Sequence, residues 1–178
     1  MSRQNHVVRI AFLLVVAVSL WPSASLFSQS IDYLTTVILV RHAEREDGVD
    51  TLNEAGMERA QELRRMLTDA GVDVIYASTY YRTQQTAQPL ADALGLELNI
   101  YDPKKLNELV YLINDKHQGE TILVAGHSNA TPMTVNELGV RPPIDNLEHH
   151  VYDHMFIVTY SKHRTPKLVT LKFGVESH

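Results

Sequence analysis

The stretch Thr35-Thr-Val-Ile-Leu-Val-Arg-His-Ala-Glu44 holds the most informative residues of this 178-residue chain. Its four consecutive apolar residues, Val37 to Val40, predict a strand that is buried on both faces, as in a parallel sheet. The apolar run stops at Arg41 and His42, so these two side chains should lie at the carboxyl end of the strand. Open α/β sheets bind their ligands at that end. A cation beside an imidazole there predicts chemistry on an anion.

Strands and helices alternate along the rest of the sequence. Strands are predicted over residues 36–40, 72–77, 96–100, 121–125, 155–159 and 167–173. One helix is predicted to begin at Thr51 or Asn53, and others over residues 82–94, 102–116 and 131–138. This alternation predicts an α/β fold in three layers, with a mostly parallel central sheet and helices on both faces.

The first 25 residues have the composition of a secretory signal. Two arginines precede an apolar run over residues 10–20, which is short for a membrane span, and small residues favour cleavage after Ser25. We therefore expect a secreted or periplasmic protein with a single domain over residues 26–178. An uncleaved N-terminal membrane anchor is the alternative. The chain has no Cys, which excludes an acylated lipoprotein anchor and a disulfide framework.

The charge balance limits the partners of the domain. The formal net charge is −5, and removal of residues 1–25, which hold two arginines and no acid, leaves −7. A domain this acidic is not expected to bind nucleic acid through a general basic surface. Any anion site must therefore be made by a few local cations.

Three of the predicted strands end in polar side chains that suit such a site. Arg41 and His42 follow the first strand, Ser78 follows the second with Arg82 close behind, and His127 follows the strand over residues 121–125. The two guanidinium groups can hold phosphate oxygens by bidentate, charge-assisted hydrogen bonds. One imidazole can attack phosphorus if its other nitrogen is held in the right tautomer. The second imidazole would stabilise the phosphoryl oxygens.

Four segments carry a family resemblance. Leu39–Glu44, Leu52–Gly56, Ser78–Ala87 and Val124–Asn129 resemble, in the same order, the motifs of the histidine phosphatase (phosphoglycerate mutase-like) superfamily. The resemblance implies a phosphoglycerate mutase-like fold and an enzyme that needs neither a cofactor nor a metal.

The resemblance also implies roles for individual residues. His42 would be the nucleophile that becomes phosphohistidine. Arg41, Arg82 and His127 would complete the phosphate pocket, with Glu44 behind it. Ser128 stands where the acid-phosphatase branch has an Asp, which argues against that branch.

The residue that protonates the leaving group is not evident from these motifs. Many members of the family carry a Glu after the second arginine, and Glu108 lies in the corresponding region. It also lies on a predicted helix, where an exposed face is the competing interpretation. Asp153 is a second candidate. Only 45 positions separate Arg82 from His127, which predicts an open pocket suited to bulky as well as small phosphates.

These observations predict a metal-independent phosphomonoesterase that acts on a small molecule, an envelope sugar phosphate or a phosphorylated protein. A non-catalytic phosphate-binding module is one alternative. A phosphomutase is another, which export and the short interval before His127 disfavour. A metal-dependent hydrolase would use His149, His150 and His154, but a loop is the favoured interpretation of that segment because Pro142-Pro143 precedes it and a strand follows.

Overall fold

The computed structural model describes residues 32–177, and the predicted signal segment over residues 1–25 lies outside them. Ten elements follow one another: β1 (Thr35–Arg41), α1 (Glu54–Leu67), β2 (Val74–Ser78), α2 (Tyr81–Leu94), β3 (Leu98–Tyr101), α3 (Leu106–Lys116), β4 (Thr121–Gly126), α4 (Ala130–Glu137), β5 (His154–Ser161) and β6 (Arg164–Lys172). None of the described helices is long and apolar enough to cross a membrane.

The six strands form one sheet in the order β3-β2-β4-β1-β5-β6. The first four strands along the chain are parallel, whereas β5 runs antiparallel to β1 and forms a hairpin with β6. β1 lies inside the sheet beside β4, and Arg41 pairs in register with Gly126. The predicted mostly parallel sheet is confirmed, and the register brings the ends of β1 and β4 side by side.

β1 is buried on both faces. Val37 and Leu39 belong to the apolar cluster that includes α3 and α4, whereas Ile38 and Val40 belong to the cluster that includes α1 and α2. Full burial of one such side chain stabilises the fold by roughly 1.5–3 kcal/mol. Burial on both faces therefore fixes β1 firmly within the three-layer arrangement that its apolar run predicts.

The predicted start of α3 was wrong. The helix begins at Leu106 rather than at Asp102. The side chain of Asp102 accepts the N–H of Lys104 at 2.9 Å, and its carbonyl oxygen accepts the N–H of Lys105 at 3.0 Å. This local turn competes with helix formation, as is typical of Asp at a helix entry.

Candidate active site

The structure brings the four predicted pocket residues together from three segments. Arg41 ends β1 and His42 follows it, Arg82 lies in the first turn of α2, and His127 follows β4. The ring centroids of the two histidines are 5.7 Å apart. An NH2 nitrogen of Arg82 lies 3.3 Å from Nδ1 of His127. Two imidazoles and two guanidinium groups therefore share the carboxyl edge of the sheet.

His42 is buried and held by two backbone carbonyls. Its backbone N–H donates to the carbonyl oxygen of Gly126 at 2.9 Å, and Nδ1 of its ring lies 2.7 Å from the carbonyl oxygen of Ala43. A carbonyl oxygen can only accept, so Nδ1 carries the proton and Nε2 keeps its lone pair. Burial, with smaller contributions from Arg41 and Arg82, lowers the pKa of His42 to about 3. His42 is thus neutral at pH 7, with Nε2 in the state that a nucleophile requires.

Arg41 is fixed by the segment that precedes β5. Its NH1 group donates to the carbonyl oxygens of Glu148 at 2.7 Å and Val151 at 2.8 Å. Its guanidinium lies 4.1 Å from the centre of the Tyr152 ring, which is also 5.9 Å from the ring of His42. Tyr152 therefore forms a wall of the pocket. Sequence reasoning missed it because its position depends on how the segment before β5 folds back over β1.

Arg82 is fixed by a carboxylate and an aromatic ring. Its NH1 group donates to Oδ1 of Asp50 at 2.6 Å, and its guanidinium lies 4.3 Å from the centre of the Tyr80 ring. Partial burial opposes ionisation of Asp50, but the N–H of Tyr81 and the guanidinium hold its pKa below the usual value. Asp50 was not predicted to lie at the site, and the polar loop around it gives no signal of its partner.

His127 has a partner on each ring nitrogen. Arg82 can only donate, so Nδ1 of His127 accepts from it. The proton of His127 is then on Nε2, which lies 2.9 Å from Oγ of Ser78. Burial, followed by the charge of Arg82, lowers the pKa of His127 to about 4. Both histidines are accordingly neutral at pH 7.

The two arginines keep hydrogen-bonding capacity for a ligand. Within residues 32–177, the buried Nε atoms of Arg41 and Arg82 have no hydrogen-bond partner. Buried polar groups in folded proteins are nearly always satisfied, so two unpartnered donors beside two imidazoles indicate a place for an acceptor. A tetrahedral oxyanion fits this arrangement, because a guanidinium binds phosphate oxygens bidentately.

Glu44 forms an ion pair with Arg59 of α1. The guanidinium of Arg59 binds both of its carboxylate oxygens, with the shortest contact at 2.6 Å. The backbone of Glu44 also packs against α1: a Cβ added at Gly56 would lie 2.1 Å from the carbonyl oxygen of Glu44. Only glycine allows this approach, which explains its place in the segment Leu52–Gly56.

The structure brings neither candidate acid into contact with the pocket residues. Glu108 is exposed, and its carboxylate lies 3.0 Å from Nζ of Lys105 in the same helical turn. Asp153 is buried, but its carboxylate pairs with His154 at 2.8 Å and with Lys172 at 3.2 Å. Neither carboxylate hydrogen-bonds to a pocket histidine or arginine.

The histidines before β5 do not form a cluster. The exposed His149 and His150 lie in a turn, and His154 begins β5, so the loop interpretation is confirmed. Each faces a different carboxylate. Across the described part of the chain, no three His, Cys, Asp or Glu side chains come together as a ligand set for a metal ion.

Comparison with known proteins is consistent with this geometry. Residues 37–111 match the family model of the histidine phosphatase superfamily (branch 1). This range includes Arg41, His42 and Arg82 but ends before His127. No curated protein matches the sequence.

Solved structures share the fold at low sequence identity. A mycobacterial glucosyl-3-phosphoglycerate phosphatase is 11% identical with a TM-score of 0.63, covering 79% of this chain and 100% of its own. A phosphoglycerate mutase from Plasmodium falciparum is 22% identical with a TM-score of 0.56, covering 82% and 94%. A protein assigned as the phosphohistidine phosphatase SixA from Nakamurella multipartitia is 20% identical with a TM-score of 0.55, covering 80% and 98%. The predicted phosphoglycerate mutase-like fold is confirmed.

Proposed function

We propose that this protein is a phosphomonoester hydrolase that acts through a phosphohistidine formed on His42. The observation that carries the proposal is the tautomer of His42. Its Nδ1–H donates to the carbonyl oxygen of Ala43, so Nε2 is the free nucleophile in a pocket that holds two arginines and a second histidine. The solved structures named as phosphatases share this fold and support a phosphatase in general.

The reaction follows from these groups in two steps. The guanidinium groups of Arg41 and Arg82 bind the phosphoryl oxygens and offset the charge that develops on them. Nε2 of His42 forms a bond to phosphorus as the bond to the leaving oxygen breaks, and the leaving oxygen takes up a proton from solvent. Water then attacks phosphorus and releases a proton to solvent, the N–P bond breaks, and its electron pair returns to Nε2. Inorganic phosphate leaves and His42 is again neutral.

The substrate belongs to one of three classes. The solved relatives are named for a glucosyl-3-phosphoglycerate, a phosphoglycerate and a phosphohistidine. A small phosphomonoester, an envelope sugar phosphate and a phosphorylated protein therefore remain the candidates.

The composition of residues 1–25 favours a secreted or periplasmic enzyme. We also propose that it needs no metal ion, because the pocket supplies its positive charge through Arg41 and Arg82.

One observation favours a second function, that of a non-catalytic phosphate-binding module. Among the described residues, no carboxylate hydrogen-bonds to His42 or to His127, so the pocket has no evident acid for the leaving group. Proton transfer by a positioned acid contributes about 10²–10⁴-fold to a rate. A pocket without one would bind phosphate esters yet hydrolyse them slowly.

Hydrolysis of p-nitrophenyl phosphate in the presence of EDTA tests the proposal. This aryl leaving group needs little protonation, so we expect turnover that survives EDTA and is lost in His42→Ala. His163→Ala, which changes an exposed histidine on the β5–β6 turn, should behave as the wild type. Loss of activity in EDTA would instead favour a metal-dependent hydrolase. Binding without turnover would favour the binding module, and activity in His42→Ala would exclude His42 as the nucleophile.

A further inference from the structure

We infer that Ser78 and Thr83 hold His127 in its Nε2–H tautomer, so that a phosphate anion entering this pocket brings one proton onto Nδ1 of His127. The inference deepens the proposed function and rests on it, because it takes the pocket to be a phosphate site. It assigns positioning roles to two hydroxyl groups that do not touch the substrate. It also predicts that phosphate binding is accompanied by the uptake of one proton.

A chain of hydroxyl groups defines the tautomer. Oγ1 of Thr83 lies 2.7 Å from the carbonyl oxygen of Tyr80, which can only accept, so the Thr83 hydroxyl donates there. Oγ1 of Thr83 then accepts from Oγ of Ser78, 2.9 Å away. The single hydroxyl proton of Ser78 is thereby used, and Oγ of Ser78 accepts from Nε2 of His127 at 2.9 Å. Ser78 and Thr83 are fully buried, so no solvent water competes for these groups.

The opposite side of the ring indicates the same tautomer. Nδ1 of His127 lies 3.3 Å from an NH2 group of Arg82, which can only donate. In the free protein Nδ1 therefore holds a lone pair on the side of the second arginine. A lone pair cannot donate a hydrogen bond to a phosphate oxygen. When a bound anion accepts the hydrogen bond from Arg82, Nδ1 needs a proton to form a hydrogen bond with that anion.

The surroundings of His127 explain why this proton arrives with the ligand. Burial is the main cause that disfavours a positive ring. The charges of Arg82 and Arg41 act in the same direction, Asp50 opposes them, and the rings of His42 and Tyr80 lie at 5.7 and 5.0 Å. The free His127 is therefore neutral. A bound phosphate dianion brings two negative charges beside both arginines. The local balance of charge then favours the protonated ring.

Two measurements on the full protein test the inference. Long-range ¹H–¹⁵N NMR of the free protein should show His127 as the Nε2–H tautomer, and an Nδ1–H tautomer would overturn the inference. Calorimetric titration with inorganic phosphate at about pH 8.5, where the dianion predominates, should show uptake of about one proton when buffers of different ionisation enthalpy are compared. Binding without uptake would overturn the inference and leave the proposed function intact. Absence of binding would contradict the proposed phosphate site itself, while the NMR result would still decide the tautomer.

Variants assign the proton and the positioning roles. His127→Gln should abolish the uptake. His117→Gln should not, although His117 is also hydrogen-bonded at both ring nitrogens, to Tyr76 and Glu120. Uptake that persists in His127→Gln would place the proton elsewhere and overturn the inference.

The two hydroxyl groups can be removed one at a time. Ser78→Ala should weaken phosphate binding about tenfold, because the protonated ring loses its acceptor. Thr83→Val leaves Ser78 free to donate to Nε2, so the Nδ1–H tautomer should grow and the proton uptake should fall. Thr134→Val, at a buried threonine that donates within its own helix, is the matched control and should change neither. An unchanged tautomer in Thr83→Val, or undiminished phosphate binding in Ser78→Ala, would overturn the positioning roles.

Discussion

Oδ1 of Asp50 lies 2.6 Å from the NH1 group of Arg82, so a carboxylate holds one of the two arginines of the proposed anion pocket. The other oxygen of Asp50 accepts the N–H of Tyr81 at 2.9 Å. The residue before α2, Tyr80, provides no side-chain cap, and Asp50 supplies one from a distant loop. One side chain thus caps α2, orients Arg82 and ties the loop after β1 to the site.

Replacement of Asp50 should affect both stability and substrate binding. Asp50→Ala should lower the free energy of unfolding by about 1 kcal/mol, as the loss of a helix cap does. It should also lower kcat/KM about tenfold, because Arg82 loses its orientation. Asp50→Asn keeps a hydrogen-bond acceptor, so its losses in the free energy of unfolding and in kcat/KM should be smaller. The matched control is Asp47→Ala on the same loop, since Asp47 is exposed and lies 3.6 Å from the exposed His149. Equal effects of the Asp47 and Asp50 variants would contradict this role.

The two neutral histidines should make stability depend on pH. Their pKa values in the folded protein are about 3 for His42 and about 4 for His127. The unfolded chain has an ordinary histidine pKa near 6.5, so between about pH 4 and 6.5 it binds more protons than the folded protein. Stability is therefore complete above about pH 6.5 and falls as the pH falls through this window.

Urea unfolding over this pH range measures the effect of one histidine. The free energy of unfolding should fall less steeply in His42→Asn than in the wild type, by up to about 1.4 kcal/mol per pH unit. His163→Asn, at an exposed histidine, should keep the wild-type slope. Parallel curves for the wild type and His42→Asn would mean that His42 is not held neutral by the fold.

The ion pair behind the pocket should be important for stability. Arg59 is buried, binds Glu44 bidentately and donates to the carbonyl oxygens of Phe173 and Val175. Its loss leaves a partly buried carboxylate and two carbonyl groups without their partner, so Arg59→Ala should cost about 3 kcal/mol in thermal or urea unfolding. Arg65→Ala breaks an exposed ion pair on the same helix and should cause no measurable change. A stability loss no larger for Arg59→Ala than for Arg65→Ala would contradict this account.

The fold could be predicted largely from local patterns, because Val37–Val40 and the other apolar runs are short, strongly apolar and followed by polar residues. Arg41, His42, Arg82 and His127 could be predicted to meet because the ends of parallel strands converge. Asp50 and Tyr152 could not, since the segments that carry them reach the site only through the packing of the whole chain.

The residue at which α3 begins could not be predicted from local residue types. Asp102-Pro103 is a good helix entry by residue type, yet the carboxylate of Asp102 is used in a turn that precedes the helix. Both outcomes satisfy the same backbone groups, and the sequence alone does not distinguish them. The catalytic role of Glu108 stays a prediction, since the structure shows its carboxylate exposed and paired with Lys105.

Among residues 32–177 no carboxylate hydrogen-bonds to His42 or His127, which predicts a strong dependence of the rate on the leaving group. An aryl phosphate should be hydrolysed about 10²–10³ times faster than an alkyl phosphate, since only the alkoxide needs protonation. Because Glu108 is exposed and pairs with Lys105, Glu108→Gln should leave this ratio unchanged. Equal rates on the two substrates would show that an acid is present. A selective loss of alkyl phosphate hydrolysis in Glu108→Gln would identify Glu108 as that acid.

Trapping of the phosphorylated enzyme tests the central claim most directly. The protein is mixed with p-nitrophenyl phosphate, quenched in alkali during turnover and digested, and the peptides are analysed by mass spectrometry. We predict one phosphoryl group on His42 that is stable to alkali and labile to acid, and none in His42→Asn. A phosphoryl group on another residue, or turnover with no phosphorylated peptide at all, would contradict a phosphohistidine mechanism at His42.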